Sequence, residues 1–533
     1  MEASPGPHAV EHVDVLIIGA GISGIGCAYY LQKHHPQRSY VLLEARERIG
    51  GTWDLFRYPG VRSDSDLHTF GFEFKPWRSE YALAEGAEIL DYIREAASEN
   101  GIDRHIRTNQ RVVALAWSST QARWLATIQL GGTRTQQISA DWVFAGTGYY
   151  RYDAGYLPDL PGVQNFAGRV VHPQRWPSDL DYDGKRVLVI GSGATAVTLV
   201  PAMAKRAAHV TMLQRSPTYV MSLPRRDKLA NWLQRRFGPD RGYALARRKN
   251  ILLQTGLYQF CQRYPRRARR LIRRLAAKQL PVGYPVDVHF NPRYDPWDQR
   301  LCFVPSGDLF RTIREGKAAV VTDTIQTFTR NGVRLTSGTE LEADIIVTAT
   351  GLRLQAFGGI ELSVDGTRVE LSEKVAFRGM LLDGVPNLAF LIGYTNASWT
   401  LKVGLVCEHF CRLLTHMDEV GADTCVARLP YPHMPTRPLL DFQAGYVQRA
   451  LDALPRQGMQ APWQLPMSVL EDTRVLRDGP LEDRNLEFTR MRGRAVEATV
   501  PAVSVVQVTS ADAPDEPVQD ASAQLATATS SSV

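Results

Sequence analysis

Two glycine-rich turns constrain this chain more than any other feature. Gly19-Ala20-Gly21-Ile22-Ser23-Gly24 follows the apolar run VDVLII, and Gly191-Ser192-Gly193-Ala194-Thr195-Ala196 follows KRVLVI. Each turn opens a helical pattern, through Gln32 in the first case and about Lys205 in the second. A new apolar run follows each helix, SYVLLEA and HVTMLQ. A strand, a tight turn and a helix start leave the first helical N–H groups without partners, facing the space above the turn. The first glycine allows the turn, the second lets a pyrophosphate approach the backbone, and the third position packs helix on strand. One such turn is a weak signal. Two, each inside a β-α-β unit, point to two dinucleotide sites.

The strand after each turn separates the two nucleotides. SYVLLEA carries Glu44 near its end, placed to accept hydrogen bonds from a ribose. HVTMLQ ends at Arg215, with Ser216 beside it. A carboxylate there would repel a 2′-phosphate, whereas a guanidinium pairs with it. The first unit therefore reads as an FAD site and the second as a site for NADPH rather than NADH. The alternatives are an empty α/β domain and an ordinary surface arginine.

A third organised stretch begins near Ala343 with DIIVTATG, and a helix is expected from about Trp399 to Asp418. Its apolar residues Phe410, Leu413, Leu414 and Met417 have the spacing of a core-facing stripe. AGTG at 145–148 and TATG at 348–351 each end a strand with glycine and mark two crossings between domains. The expected fold is α/β, with two Rossmann-like domains and the NADPH domain inserted into the FAD domain. The boundaries read as 1–148, first part of the FAD domain, and 149–342, NADPH domain with a basic helical insert at about 225–290. The second part of the FAD domain takes 343–500. A Ser-, Ala- and Thr-rich tail, 501–533, reads as disordered.

Charge is unevenly placed. The chain has 62 basic and 55 acidic residues, but 225–278 alone holds 17 Lys/Arg against Asp227 and Asp240. The remainder is net acidic, which argues against a general nucleic-acid binder. Pro265 fits the start of a helix in which Ala268, Leu271, Ile272, Leu275 and Ala276 form one stripe and six arginines the other face. That pattern suits peripheral contact with an anionic bilayer through about 265–278, or an ordinary helix with a solvated basic face. No segment is long and apolar enough to span a membrane and no signal peptide is evident, so a cytoplasmic protein is expected. The six cysteines form no CxxC pair, so neither a metal site nor a redox disulfide is expected.

Longer motifs surround the turns. Gly50-Gly51-Thr52-Trp53, Tyr58-Pro59-Gly60 and Asp64 resemble a fingerprint of Baeyer–Villiger monooxygenases. Phe166-Ala167-Gly168-Arg169-Val170-Val171-His172-Pro173-Gln174-Arg175-Trp176-Pro177 resembles the FxGxxxHxxxW(P/D) signature of the type I members. The chain is similar, over about 12–490, to these class B flavoprotein monooxygenases, and most of all to the mycobacterial ethionamide-activating group. The strings MLQRSPTY, DPWDQRLC and GYTNASWTLK carry that likeness.

The resemblance implies an NADPH- and O2-dependent enzyme that converts ketones to esters or lactones through a C4a-peroxyflavin, with S-oxygenation alongside. Arg300 matches the family's active-site arginine, and Asp64 would orient its guanidinium. Many relatives carry Lys before that arginine; here it is Gln299. Gly51, Thr52, Trp53 and Asp54 are expected along the flavin, and Val112 at the adenine. His172, which tempts as a base, reads better as a hinge residue, and Ser398 as a cap of the 399–418 helix. Two other functions share these cofactor residues: an oxygenase acting mainly on sulfides, thioamides or amines, and a non-oxygenating reductase docking a redox partner.

Overall fold

The computed structural model describes residues 10–299 and 301–491. Val13 and the Val15–Ile18 run are buried and form most of the strand Glu11–Ile18. It lies between Thr135–Ala145 and Tyr40–Leu43, parallel to both. Burial on both faces explains why these strands read as continuous apolar runs rather than alternating ones. The helix Ile22–His34 crosses from Glu11–Ile18 to Tyr40–Leu43 and packs on the long helix Trp399–Val420. Antiparallel strands Arg111–Ser118 and Arg123–Gln129 extend this sheet beyond Thr135–Ala145.

The second sheet is all parallel. Its order is Ala318–Thr322, His209–Gln214, Arg186–Ile190, Ile345–Thr348, Arg169–Val171. The expected boundary at 343 therefore moves. Ile345–Thr348 pairs with Arg186–Ile190 and belongs to the inserted domain. The chain crosses back only after it, through Thr350 and Gly351. An apolar run that fills the centre of a parallel sheet does not reveal which sheet it fills. Beyond the crossing, Glu361–Val364 and Leu388–Phe390 rejoin the first sheet. The expected tail, 501–533, lies outside the described residues.

The two crossings are fastened to each other. Arg151 N–H donates to Arg353 O (2.9 Å), Gln355 N–H to Tyr149 O (3.0 Å) and Tyr156 N–H to Gly351 O (3.0 Å). The HxxxWP segment holds this ladder: Gln174 Nε2 donates to the carbonyls of Arg151 and Tyr152. His172 Nδ1 accepts from Gln174 N–H, so its Nε2 carries the proton, which it donates to Gly351 O at 3.2 Å. Burial pushes this imidazole below its ordinary value and keeps it neutral. His172 thus fastens the interdomain crossing at Gly351.

The basic insert is three helices, Lys228–Phe237, Pro239–Arg263 and Pro265–Ala277. It leaves and re-enters through the paired strands Tyr219–Leu223 and Leu301–Pro305. The long middle helix grips the first domain through Arg247, whose Nη1 donates to the carbonyls of His68, Thr69 and Gly71. The stripe expected to face lipid is largely consumed. Ala268, Ile272 and Ala276 are buried, Ile272 against Tyr219 and Leu301, because the strand pair needs an apolar cover. Among the described residues no helix is long and apolar enough to cross a membrane.

Candidate active site

Both glycine turns open into one cleft of about 910 Å³ between the domains. Gly19, Gly21, Ser23, Glu44, Gly51, Thr52, Trp53, Asp64 and Val112 line it from the first domain. Gly191, Ser192, Gly193, Ala194, Thr195, Arg215 and Ser216 line it from the second. Most of the residues singled out from the sequence, from Gly19 to Ser216, thus share one wall system.

The turns have the same construction. Gly19 has φ +98° and Gly191 φ +129°, and a Cβ at either would press on the crossing that follows its sheet, at Gly146 O and Ala349 O. The helices Ile22–His34 and Ala194–Met203 both begin without a side-chain cap and without an acid in the first turn. Their first N–H groups and positive dipole ends are left for an anion. Both cradles fit a pyrophosphate.

Glu44 is buried at the end of Tyr40–Leu43. One carboxylate oxygen accepts from Ala20 N–H (2.9 Å) and the other from Arg46 N–H (3.0 Å). Burial raises its pKa above the ordinary value, opposed by those two hydrogen bonds. Nearby, Gln110 lines the cleft with a buried Oε1 that has no hydrogen-bond partner among the described residues. A buried acceptor left unsatisfied on the cleft wall is placed to take a ligand hydroxyl or amino group.

Three residues expected to touch cofactor do not line the cleft. Asp54 turns away from it: its carboxylate, fully enclosed, takes Arg46 (2.6 Å), Arg48 (3.0 Å) and Arg57 (2.9 Å). A carboxylate beside Thr52 and Trp53 drew the expectation, but three guanidinium groups, among them Arg46 of the cleft wall, enclose it. Gly24 and Ala196 occupy the third position of each turn and pack. A Cβ on Gly24 would sit 1.9 Å from Gly19 O, and Ala196 is wholly buried. Ser398 also departs from expectation. It precedes Trp399–Val420 without capping it, and its hydroxyl instead meets Thr69 Oγ1 at 2.7 Å. The start of this third helix faces the cleft through Ala397 and Trp399, and Trp399 Nε1 donates to Ser23 Oγ at 3.0 Å.

The Tyr-Pro-Gly fingerprint bridges the domains. A Cβ on Gly60 would fall 2.5 Å from Ala202 Cβ, on the helix of the second cradle, and Tyr58 is buried in the second domain's core with Ala196, Val197 and Leu199. Arg62 and Asp308 add a bidentate ion pair across the same junction. This strap carries Asp64 onto the cleft wall. Arg300 lies outside the described residues; its neighbours Gln299, Cys302 and Phe303 line the cleft.

Sequence reasoning missed several cleft residues. Tyr152, whose OH lies 3.3 Å from Thr52 Oγ1, is pushed up to about 12 by burial. The aromatic string Tyr149-Tyr150-Arg151-Tyr152 directly after AGTG was its signal. Arg449, stacked 3.5 Å over the Tyr156 ring, and the buried Tyr394 had no local signal. Tyr394 OH donates to Asp472 (2.6 Å), which also meets Lys402 Nζ (2.7 Å). Burial lowers the Lys402 ammonium and raises the Tyr394 phenol.

Comparison with known proteins agrees with this construction. Residues 16–238 match the pyridine nucleotide-disulphide oxidoreductase family. The chain is 53% identical to the FAD-containing monooxygenase EthA of Mycobacterium tuberculosis, over 90% of this chain and 98% of that one. The chain belongs to the FAD-containing monooxygenases. It is also 48% identical to a probable FAD-binding monooxygenase, AlmA, of an Acinetobacter species, over 90% and 96% of the two chains. A steroid monooxygenase solved with NADP shares the fold, with a TM-score of 0.70 at 21% identity, covering 90% of this chain and all of that one. No disulfide joins any of the six cysteines, which are all buried, and of them Cys302 lines the cleft.

Proposed function

We propose that this FAD-containing monooxygenase uses NADPH and O2 to convert apolar ketones to esters or lactones, with S-oxygenation as a side activity. One observation carries the reading. The strap from Gly51 to Asp64 begins at the first cradle and closes on the helix of the second, so one cleft serves both nucleotides and the substrate. When bound, FAD supplies hydride acceptance from NADPH and activation of O2. Every other contribution comes from the chain. The two uncapped helix starts hold the pyrophosphates, with Glu44 on the ribose of FAD and Arg215 and Ser216 on the 2′-phosphate of NADPH. Leu55, Phe56, Val61 and Phe70 make the wall apolar and exclude water from the reacting end. The solved steroid monooxygenase that shares this fold holds NADP, which supports the second assignment.

Arg300 and Asp64 are the proposed catalytic pair. A permanent cation stabilises the negative charge that develops on oxygen during insertion, and Asp64 fixes the orientation of the planar guanidinium. Arg300→Ala leaves both cradles intact, so FAD and NADPH still bind. Loss of one such stabiliser costs on the order of 3–4 kcal/mol of transition-state energy. The variant should make little ester from a ketone panel read by mass spectrometry, with residual NADPH oxidation released as hydrogen peroxide. Arg300→Lys should restore little. Ester formation by Arg300→Ala at close to the parent rate rules the assignment out.

A further inference from the structure

The insert does more than cover the strand pair. Eleven of the 18 large apolar side chains exposed among the described residues fall within 229–288, and that same segment overlaps the 17-cation stretch. On Pro239–Arg263 the two chemistries share the outward face. Tyr243, Arg247, Asn250 and Cys261 point inward, while Arg241, Leu245, Arg248, Leu252 and Leu253 lie on the opposite side at helical spacing. Leu252 is 54% exposed and Leu253 63%. The neighbouring helix Lys228–Phe237 presents Leu229, Trp232 and Phe237 beside Arg235 and Arg236. Pro265–Ala277 keeps Leu271 and Leu275 exposed at the border of its buried stripe, flanked by Arg266, Arg267, Arg270 and Arg274. Of the two acids in the cationic stretch, Asp227 is taken up by Lys249 and by capping Ala230 N–H. Nothing acidic within the stretch balances the outer arginines except Asp240.

We propose that this three-helix insert is a membrane-docking surface for anionic phospholipid. Exposed Leu, Trp and Phe interleaved with Arg match the two layers of a bilayer interface, acyl chain below and phosphate above, whereas a polyanion in water has no use for the apolar half. The surface is built from three helices, which distinguishes it from the single 265–277 stripe that the fold buries. It is tested with the purified holoenzyme sedimented with vesicles of phosphatidylcholine alone or mixed with phosphatidylglycerol. The wild type should sediment with the mixed vesicles at low salt and stay in solution with phosphatidylcholine alone. Arg266→Glu/Arg270→Glu/Arg274→Glu should weaken partition on the order of a hundredfold. Trp232→Glu/Leu252→Glu/Leu253→Glu should abolish it, and both variants should keep bound FAD and NADPH oxidation. The proposal fails if the wild type ignores the mixed vesicles or if either variant partitions as the wild type does. It also fails if the surface binds RNA and not vesicles, or if the apolar variant merely converts an oligomer to a monomer.

Discussion

The two cradles are built alike and enclosed differently. Each sets a positive-φ glycine against the interdomain crossing and leaves a helix start uncapped. Around the first, the chain closes in. Gly51 approaches Gly21, with a Cβ there only 3.6 Å from Gly51 Cα, and Glu44 is buried in hydrogen bonds. Around the second, Gly193 is exposed, a Cβ would meet nothing within 4 Å, and Arg215 stands in solvent. One motif thus makes an enclosed cradle and an open one, depending on what its neighbours supply. That division suits a resident flavin and a nicotinamide nucleotide that must come and go each turnover.

The largest expected effect breaks the enclosed side. Gly21 has ordinary backbone angles (φ −86°), so Gly21→Val can fold, but its branched side chain points into the narrow gap facing Gly51. The purified variant should be colourless, measured as flavin absorbance per protein; full FAD occupancy would remove Gly21 from the site. Next comes the open side. Arg215→Ala loses charge-assisted hydrogen bonds worth about 1.5–3 kcal/mol, a rise in KM for NADPH of about ten- to a hundredfold. KM for NADH should hardly move, and equal rises would exclude phosphate recognition by Arg215. The smallest effect concerns Asp54. Its arginine partners are partly in water, so Asp54→Asn should cost about 1–2 kcal/mol of stability in denaturant titration. Bound FAD should stay at wild-type level, whereas loss of FAD with unchanged stability would return Asp54 to the flavin.

Local chemistry decided what was legible in advance. That the turns, Glu44 and Arg215 would border one cleft, and that His172 would lie at the crossing, was readable because each lies within a few residues of a strand end; the nucleotide each holds is part of the proposed function. The sheet to which Ile345–Thr348 belongs was not, since a central parallel strand is apolar whichever partners it takes. Asp54 misled for the opposite reason: a carboxylate beside Thr52 and Trp53 looks ligand-facing until the three arginines that enclose it are placed. The 265–277 stripe was legible as a helix but not in what covers it: Ala268, Ile272 and Ala276 pack on the strand pair while Leu271 and Leu275 stay exposed, because periodicity shows an apolar face without showing its cover. Tyr394, Lys402 and Asp472 meet only through folding and left no trace in spacing.

The division between the cradles is tested most directly by Gly193→Val. This position has an extended backbone (φ −77°) and open space, so the substitution leaves the fold and the first cradle untouched while filling the second. The holoenzyme is mixed anaerobically with NADPH and the flavin absorbance followed in time. The account predicts a fully flavinylated, yellow protein whose FAD is bleached by dithionite but scarcely by NADPH. Bleaching by NADPH at the wild-type rate would contradict it, and with it the assignment of one nucleotide to each cradle.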